Sequence, residues 1–408
     1  MGFNKLKKSA HKKKIVFFSC YDSPLGGGSP RTFLYSRELV KLGYDVWVVT
    51  SSYNHWMDKS LKKQNKLVSK KNIEGVNYIF LFGLNYGENN NLILRSIHMI
   101  QYSFLAFFFI LFRIKKIDVI LGTTTPNFSG LMALCLSSLK ESKFFLEIRD
   151  VWPESLIDSG SLKKNSMVAI IMRMIEKFLV RNSTEIISCL PNTLEHIIKS
   201  GGPNKMTYIP NPYDSDLIFN KYCGGNRGEL RITYVGGNAK AMRVNTLIEA
   251  FLMLDLPRIS LQIVGPKKFV KNYFKNLKKP LPKNMKVYDF VQRSKIPEFI
   301  NNSDVLVHPS NNTDQLKFGL NSNKILEYLS SGRLTILAAK TANDPVSMSK
   351  SGFLIEPENE YEMARVFKKI YYMDPKEREK IGVRGIKFVK SRFNSKNLVL
   401  EFKKLIDS

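Results

Sequence analysis

Short apolar runs alternate with segments of helical spacing along the whole chain. The runs before residue 205 are rich in β-branched and aromatic residues: KKIVFFSC, DVWVVTS, VNYIFLF, IDVILGT, KFFLEI and EIISC. A second set follows it: RITYVGG, SLQIVGP, KVYDFV, DVLVHPS, LTILAAK and GFLIEP. The intervening segments include RTFLYSRELVKLG and MVAIIMRMIEKFLVRNS, whose apolar residues recur with a helical period. Continuous apolar strands joined by helical crossovers predict parallel sheets that are covered on both faces.

The chain is long enough to form two domains. Its 408 residues exceed what one hydrophobic core usually supports. The richest concentration of Gly, Pro, Asn and Asp separates the two sets of strands: GGPNKMTYIPNPYDSDLIFNKYCGGNRGEL. We therefore predict an α/β chain with two Rossmann-like, doubly wound domains at residues 1–205 and 206–390. Residues 391–408 are predicted to form a C-terminal helix that packs back on the first domain.

Charge and cysteine usage narrow the class of protein. The chain has 63 Lys and Arg against 35 Asp and Glu, and this excess of +28 attracts nucleic acid, anionic lipid or phosphorylated small molecules. The four cysteines lack CxxC spacing, which suits reduced, buried thiols in a cytosolic protein and neither a zinc site nor a disulfide framework. The first apolar run soon meets Asp22 and is too short for a signal peptide.

An uncharged segment, SIHMIQYSFLAFFFILF at residues 96–112, lies between two arginines. A membrane-spanning helix needs about 20 apolar residues, and this segment carries His98, Gln101 and Ser103, so it falls short. Two interpretations stay open and are compatible. It is a buried crossover helix, or a helix that also places an apolar face in the membrane interface.

In open α/β sheets ligands bind at the carboxyl ends of the strands, so the loops there are the places to look for chemistry. The loop YDSPLGGGSPRT after the first strand has glycines that allow close backbone approach, and Arg31 is suited to phosphate or carboxylate. The stretch EIRDVWPESL follows the strand KFFLEI. Its charged residues either pair with neighbours or face a ligand, with Asp150 and Arg149 the candidates and Glu147 left uncommitted.

The second domain carries the strongest constellation, KFGLNSNKILEYLSSG at residues 317–332. Its helix is predicted to end at Gly332 and to be capped by Asn321, Ser322 or Asn323. Lys324 then lies in the first turn, where a cation opposes the helix dipole unless an anion is bound. Glu327 follows three residues later on the same face. A lysine on a phosphate and a glutamate on ribose hydroxyls is one interpretation, and an ordinary surface ion pair is the other.

Together these motifs resemble glycosyltransferase family 4, and in particular its branch from bacterial O-antigen and capsule clusters, which includes L-fucosamine transferase-like proteins. The resemblance rests on GGGSPRT, EIRDVWPESL, YVGGNAKAMRVNTLIEAF, LQIVGP and FGLNSNKILEYLSSG, and it runs over nearly the whole chain. It implies a GT-B fold, in which two Rossmann-like domains face a cleft. The C-terminal domain then holds the nucleotide sugar and the N-terminal domain the acceptor.

The resemblance also assigns roles to residues. It implies that Glu327 binds the ribose, while Asn323 and Lys324 hold the diphosphate together with the Gly27 and Gly28 backbone. Asp150 and Arg149 are the implied catalytic residues, reaching the sugar or the acceptor hydroxyl. The remaining implied donor-binding residues are Arg31, Gly236, Asn238, Lys240, Arg243, Phe290 and Val291. The family retains anomeric configuration, and the resemblance implies neither a metal ion nor another cofactor.

This sequence departs from the family pattern at two places. The glycine-rich donor loop reads GGNAKAMRVN and is shorter, which leaves open whether Lys240 or Arg243 replaces a backbone contact to phosphate. Ser322 stands where the branch has a proline before Asn-Lys. A DxD pair, Asp214 and Asp216, is the metal-diphosphate signature of another glycosyltransferase architecture, but its position after YIPNP favours a turn with a helix cap.

The sequence therefore predicts a retaining glycosyltransferase that moves a sugar, with UDP the expected nucleotide, to a lipid-linked glycan in bacterial surface polysaccharide biosynthesis. Its expected location is the cytoplasm, peripheral on the inner face of an anionic cell membrane, with no nucleic-acid partner. One alternative is a UDP-sugar 2-epimerase of the same fold. Another is a non-catalytic basic protein that binds membranes or RNA; RNA binding calls for exposed aromatic residues among the basic ones.

Overall fold

A computed structural model describes residues 12–22, 24, 30–53, 66–86, 92–223, 228–237 and 242–408. The N-terminal half contains a parallel sheet with helices on both faces. Its elements in chain order are β1 (Lys14–Phe18), α1 (Arg31–Lys41), β2 (Asp45–Ser51), β3 (Val68–Ile73), β4 (Val76–Leu81), α2 (Leu92–Arg113), β5 (Val119–Thr123), α3 (Asn127–Leu139), β6 (Lys143–Ile148), α4 (Glu154–Asp158), α5 (Met167–Arg181), β7 (Glu185–Ser188), α6 (Leu194–Lys199) and β8 (Thr207–Tyr208).

The strand order of this first sheet is β3-β4-β2-β1-β5-β6-β7-β8. Every described pairing is parallel except that of β3 with β4. The sheet extends past the predicted boundary at residue 205, because β8 pairs with β7. One face packs against α2, α3, α5 and α6, and the other against α1. This division follows from the crossovers, since right-handed connections that run in opposite directions along a sheet lie on opposite faces.

The C-terminal half contains a second, wholly parallel sheet with the strand order β11-β10-β9-β12-β13-β14 among its described strands. Its elements are β9 (Leu230–Val235), α7 (Val244–Leu252), β10 (Ile259–Gly265), α8 (Lys267–Asn276), β11 (Met285–Asp289), α9 (Ile296–Asn301), β12 (Val305–Pro309), α10 (Asn323–Ser330), β13 (Leu334–Ala338), α11 (Pro345–Ser349), β14 (Gly352–Ile355), α12 (Glu360–Tyr371), α13 (Pro375–Arg392) and α14 (Ser395–Asp407). The predicted fold class, two Rossmann-like domains with doubly wound parallel sheets, is confirmed.

The last helix, α14, lies against α1 of the first domain rather than with the second sheet. The Phe402 ring centroid is 4.9 Å from that of Tyr35, and Leu405 is buried in the same apolar cluster. Lys13 pairs with Asp407 at 3.0 Å, which ties the end of the chain to its first strand. The C-terminal helix therefore covers part of the outer face of the N-terminal sheet.

We expect Leu405→Ala to lower the free energy of unfolding by about 2 kcal/mol, because it leaves a cavity under the first sheet. Leu405 is 8% exposed, whereas Leu400 on the same helix is 44% exposed and serves as the matched control. Leu400→Ala is expected to cost about 0.5 kcal/mol or less. Urea unfolding followed by tryptophan fluorescence measures both. Equal losses from the two substitutions would contradict the packing of α14 on the first domain.

The cysteines are only partly as predicted. All four are free, but Cys135 and Cys223 are exposed, and only Cys20 and Cys189 are buried. Cys135 lies on the exposed side of α3. This helix has apolar residues on both sides, so an apolar neighbourhood in the sequence did not mean burial.

Candidate active site

The N-terminus of α10 lies after β12, at the carboxyl edge of the second sheet. The predicted side-chain caps are wrong, because all three candidates bind elsewhere. Ser322 occupies the cap position, but its hydroxyl is 3.0 Å from His308 Nε2 and no side chain caps the helix. The Oδ1 atoms of Asn321 and Asn323 both accept hydrogen bonds from Asn211. The first backbone N–H groups of α10 are therefore left without a side-chain partner among the described residues.

Lys324 lies in the first turn of α10 and passes close to the end of β9. A Cβ atom added at Gly236 would lie 2.6 Å from Lys324 Cε and 2.5 Å from the Tyr234 hydroxyl oxygen, so only glycine leaves room for the lysine. Burial lowers the pKa of Lys324. In the described part of the chain no carboxylate lies within ion-pair distance of its ammonium group. A buried cation in the first turn of a helix, beside free backbone N–H groups, is suited to bind an anion.

Glu327 follows one turn later and is buried, at 6% exposure. Arg293 Nη2 lies 2.7 Å from its Oε1, and Arg293 Nε lies 3.3 Å from Asp214 Oδ2. Burial raises the pKa of Glu327, while Arg293 and Lys324 act in the opposite direction. The ion pair with Arg293 thus holds the carboxylate in one orientation, and its other lone pairs remain for a ligand.

Arg293 is a site residue that sequence reasoning missed. It lies in a short 3₁₀ turn after β11, and nothing in the local pattern connects it with a glutamate on α10. Its second carboxylate, Asp214, belongs to the DxD pair, and the other member, Asp216, pairs with Arg37 at 2.7 Å. Asp214 Oδ1 also accepts from the backbone N–H of Asp216, as in the predicted turn, but no helix begins there. Among the described residues, no group of three or more His, Cys, Asp or Glu is placed to hold a metal ion.

In the N-terminal domain, the end of β6 forms a buried ion-pair network. Glu147 accepts from Arg31 Nε at 2.9 Å and from Arg149 Nε at 2.5 Å. Arg149 Nη2 also donates to Thr32 Oγ1 at 2.7 Å. Burial acts to raise the pKa of Glu147, but the two arginines outweigh it and the pKa is lowered. Glu147, left uncommitted by the sequence, is the centre of this network.

The predicted role of Arg31 as a donor-phosphate ligand needs correction. Its side chain is 1% exposed, and besides Glu147 it donates to the Pro210 carbonyl at 2.6 Å. Tyr35 donates to the same carbonyl, and the next residue, Asn211, donates to Asn323 Oδ1 at 2.9 Å. Arg31 therefore joins the network at β6 to the start of α10, and so connects the two domains instead of facing a ligand.

Asp150 follows the network and turns toward solvent. The residue is exposed just after the end of β6, and no described side chain or backbone group hydrogen-bonds to its carboxylate. Partial loss of hydration raises its pKa to about 6, against the lowering effect of the neighbouring Arg149. Among the motif's four acidic and basic residues, Asp150 is the one whose charged group is free to meet a ligand.

The remaining predicted donor-binding residues fall into three groups. The Phe290 ring, 60% exposed, lies 3.7 Å from a Cβ built at Gly237, beside the donor loop, and Val291 is partly buried next to it. Arg243 directly precedes α7, and its Nε lies 3.0 Å from Glu358 Oε1 in an ion pair. The other predicted residues lie outside the described part of the chain: Gly27, Gly28, Asn238 and Lys240. Of the two candidate phosphate ligands, Lys240 and Arg243, the structure therefore describes only Arg243, whose partner is Glu358.

Comparison with known proteins finds a family match in the C-terminal half of the chain. Residues 224–388 match the family described as Glycosyl transferases group 1. A curated relative, probable glycosyltransferase WbjE of Pseudomonas aeruginosa, is 26% identical over 126 residues, which is 30% of this chain and 31% of that protein. The match thus spans about a third of the relative's length.

Solved structures resemble the fold over almost the full chain. Sucrose-phosphate synthase from Thermosynechococcus elongatus superposes with a TM-score of 0.73 at 16% identity, covering 97% of this chain and 98% of the other. Alr3699/HepE of Anabaena, in complex with UDP, gives a TM-score of 0.67 at 13% identity, covering 97% and 99%. At such identities the likeness establishes the architecture only. The chain has a GT-B fold whose C-terminal half carries a group 1 glycosyltransferase domain, and the predicted enzyme class, a glycosyltransferase, is confirmed.

Proposed function

We propose that this glycosyltransferase moves a sugar from a nucleotide donor, with UDP as the nucleotide, to a lipid-linked glycan, and that it retains the anomeric configuration. We place it with the family 4 branch that builds bacterial O-antigen and capsule, as a cytoplasmic protein peripheral on the inner face of the cell membrane. The observation that carries the proposal is the pair formed by Lys324 and Glu327 at the uncapped start of α10.

The two residues of this pair are suited to two groups of a nucleoside diphosphate, namely its diphosphate and its ribose. The Lys324 ammonium and the free N–H groups of α10 provide positive potential for the diphosphate. Glu327, held by Arg293, offers lone pairs to the two ribose hydroxyls about one helical turn away. Gly236 and Gly265 keep the ends of β9 and β10 close together, since a Cβ at Gly265 would lie 2.3 Å from the Gly236 carbonyl oxygen.

In the proposed reaction, the bond between the sugar's anomeric carbon and the diphosphate oxygen breaks while the acceptor hydroxyl oxygen bonds to the same face of that carbon. The acceptor's proton passes to the leaving diphosphate, so atoms and charge balance. Lys324 and the α10 N–H groups stabilise the negative charge that develops on the diphosphate. Asp150 lies at the edge of the other domain, where its carboxylate is suited to orient the acceptor hydroxyl or to stabilise positive charge on the sugar.

Several observations support parts of this proposal. UDP as nucleotide agrees with the Anabaena neighbour, whose structures contain UDP or UDP-glucose. The polysaccharide role and the lipid-linked acceptor rest on the motif resemblance. The group 1 domain favours transfer over the 2-epimerase reaction and over a non-catalytic basic protein.

The direct test is a screen of nucleotide sugars by thermal shift, followed by detection of UDP release and of the glycosylated product. We expect a UDP-sugar to raise the melting temperature and to be hydrolysed slowly without acceptor. Proton NMR of the product reads its anomeric configuration. Absence of binding, hydrolysis and transfer with every donor would refute the proposal, and an epimerised free donor would support the rival enzyme.

Replacing Glu327 by glutamine is expected to weaken UDP binding about tenfold, because the amide offers the ribose one acceptor oxygen in place of a carboxylate and removes one of the two carboxylates that hold Arg293. Isothermal titration with UDP measures the change, and melting curves check that the variant folds. Glu298→Gln, at an exposed position on α9, is the matched control and should bind like the parent. Unchanged affinity in Glu327→Gln would remove the glutamate from the donor site.

A further inference from the structure

The helix α2 carries an apolar stripe on the side that faces away from the sheet. The exposed fractions of its residues range from 45% to 74%, and they recur with a helical period: Ile93, Ile97, Ile100, Phe104, Phe108 and Phe112. On the opposite side, Tyr102, Ala106 and Ile110 are fully buried beneath the first sheet. The helix is therefore apolar on both sides, and the core explains only one of them.

A second stripe lies on α5, and α3 connects the two. The exposed apolar residues of α5 have exposed fractions of 48% to 76%: Met167, Val168, Ile170, Ile171, Met174 and Phe178. The Phe128 ring of α3 lies 5.5 Å from Phe104 of α2, and Asn127 of α3 donates to the Met172 carbonyl of α5 at 3.2 Å. We call the outer faces of α2, α3 and α5 the three-helix surface. It is a continuous apolar patch of a kind that monomeric proteins rarely expose.

The charges on these helices are almost all positive. Glu176 is the one acidic residue within the bounds of α2, α3 and α5, and it is buried against His196, 2.8 Å from its Nε2. Exposed basic residues surround the apolar patch: Arg113, Lys115, Lys116, Lys163, Lys164, Lys177 and Arg181. An apolar centre with a cationic rim complements the acyl chains and phosphates of an anionic bilayer.

We propose that the three-helix surface docks the enzyme on an anionic lipid bilayer, with its apolar residues at the boundary between headgroups and acyl chains. Residues 96–112 were expected to fall short of a membrane span, but within the described residues the whole helix Ile93–Arg113 is long and apolar enough to cross a membrane, with 33% of its apolar stretch buried. Crossing would remove Tyr102 and Ile110 from the core of the first domain. Lying in the interface keeps those contacts and buries the exposed stripe as well.

The orientation of these helices relates the surface to the site. α2, α3 and α5 each follow the carboxyl end of a strand, so their N-terminal ends lie at the same edge of the sheet as Asp150. A bilayer that contacts the three-helix surface therefore extends to the sheet edge that carries Asp150, where the acceptor is proposed to bind. The inference deepens the proposed function and rests on it in one respect, namely that the acceptor is carried by a lipid.

Flotation with lipid vesicles tests the docking surface. We expect the full-length protein to float with vesicles that contain phosphatidylglycerol, to float weakly with phosphatidylcholine alone, and to be partly released by salt. Two double variants, Phe108→Asp with Phe112→Asp and Met174→Asp with Phe178→Asp, should each lower partitioning about tenfold or more. The control is Tyr361→Asp with Tyr372→Asp, which changes aromatic residues that are 72% and 76% exposed in the second domain and should bind like the parent.

Two further measurements separate the possible failures. UDP binding is measured on every variant by thermal shift and should stay unchanged. A parent that binds UDP but ignores vesicles, or α5 variants that float like the parent, would overturn the three-helix surface while leaving the donor site intact. A protein that floats but never binds UDP would keep the surface and refute the proposed function. Light scattering that shows a parental dimer and monomeric variants, without vesicle binding, would assign the surface to a second copy of the chain.

Discussion

We expect Lys324→Met to lower kcat/KM for the nucleotide sugar about a thousandfold, the largest effect of any single substitution considered. The lysine lies in the first turn of α10, beside the uncapped N–H groups where the leaving diphosphate is proposed to lie. Removing one well-placed donor from a developing negative charge typically costs 10²- to 10³-fold, and a charged donor stands at the upper end of that range. Methionine keeps the length and apolar body of the side chain, so the packing over Gly236 is retained.

The same substitution should make the protein without nucleotide slightly more stable. A partly buried cation in the first turn opposes the helix dipole, and burial already lowers the pKa of Lys324. We therefore expect Lys324→Met to raise the free energy of unfolding by about 0.5 kcal/mol while abolishing most of the stabilisation by UDP. A purely structural lysine would show the opposite pattern.

Initial-rate kinetics and urea unfolding, each with and without UDP, give both readouts. Lys376→Met is the matched control, because that lysine also lies in the first turn of a helix, α13, but is exposed to solvent. It should leave activity and UDP stabilisation unchanged. A Lys324→Met variant that retains parental kcat/KM would show that the diphosphate is held elsewhere.

The alternation of strands and helices was predictable because it depends on the local spacing of apolar residues along the sequence. The apolar runs predicted β1, β2, β4 to β7 and the six strands of the second sheet. The two-residue β8, inside the predicted linker, was missed, and so was β3, with the sequence VSKKNI. This strand is half exposed at the sheet edge and pairs antiparallel with β4, so it lacks the continuous apolar run that marks a buried strand. The segment at residues 96–112 was uncertain for a related reason: α2 is the crossover between β4 and β5, and only one of its two apolar sides faces the core.

Side-chain partners were harder to predict than elements. The spacing of Lys324 and Glu327 is local, so the sequence was enough to place them on one helix face. Arg293 reaches Glu327 across many residues, and Arg31 meets Glu147 and Pro210 only after the chain has folded. An arginine beside a glycine-rich loop has the chemistry of a phosphate ligand and of a buried network member alike. Which of the two it becomes depends on whether a carboxylate such as Glu147 lies beneath it.

The second large effect concerns Asp150, and it should be visible in the pH profile. The pKa of Asp150 is raised to about 6, so the carboxylate is ionised above that pH and protonated below it. If the ionised form orients the acceptor or stabilises the sugar, parental activity falls as the pH drops through about 6. Asp150→Asn should be about 100-fold slower at pH 8, within the range known for a positioned acid or base, and should lack this acidic limb because its amide does not titrate.

Measuring kcat from pH 5 to pH 9 for both proteins tests this role of Asp150. Glu154→Gln is the matched control, since Glu154 belongs to the same EIRDVWPESL stretch but is turned to Arg173, 2.7 Å from its Nε, in the first turn of α4. That variant should keep the parental rate and the acidic limb. An Asp150→Asn enzyme with the parental profile would leave Asp150 as a surface residue without a role in catalysis.

The acidic limb would then have to come from another group. Glu327 is the candidate, because burial also raises its pKa. Donor affinity separates the two, because protonation of Glu327 weakens UDP binding whereas protonation of Asp150 leaves it unchanged.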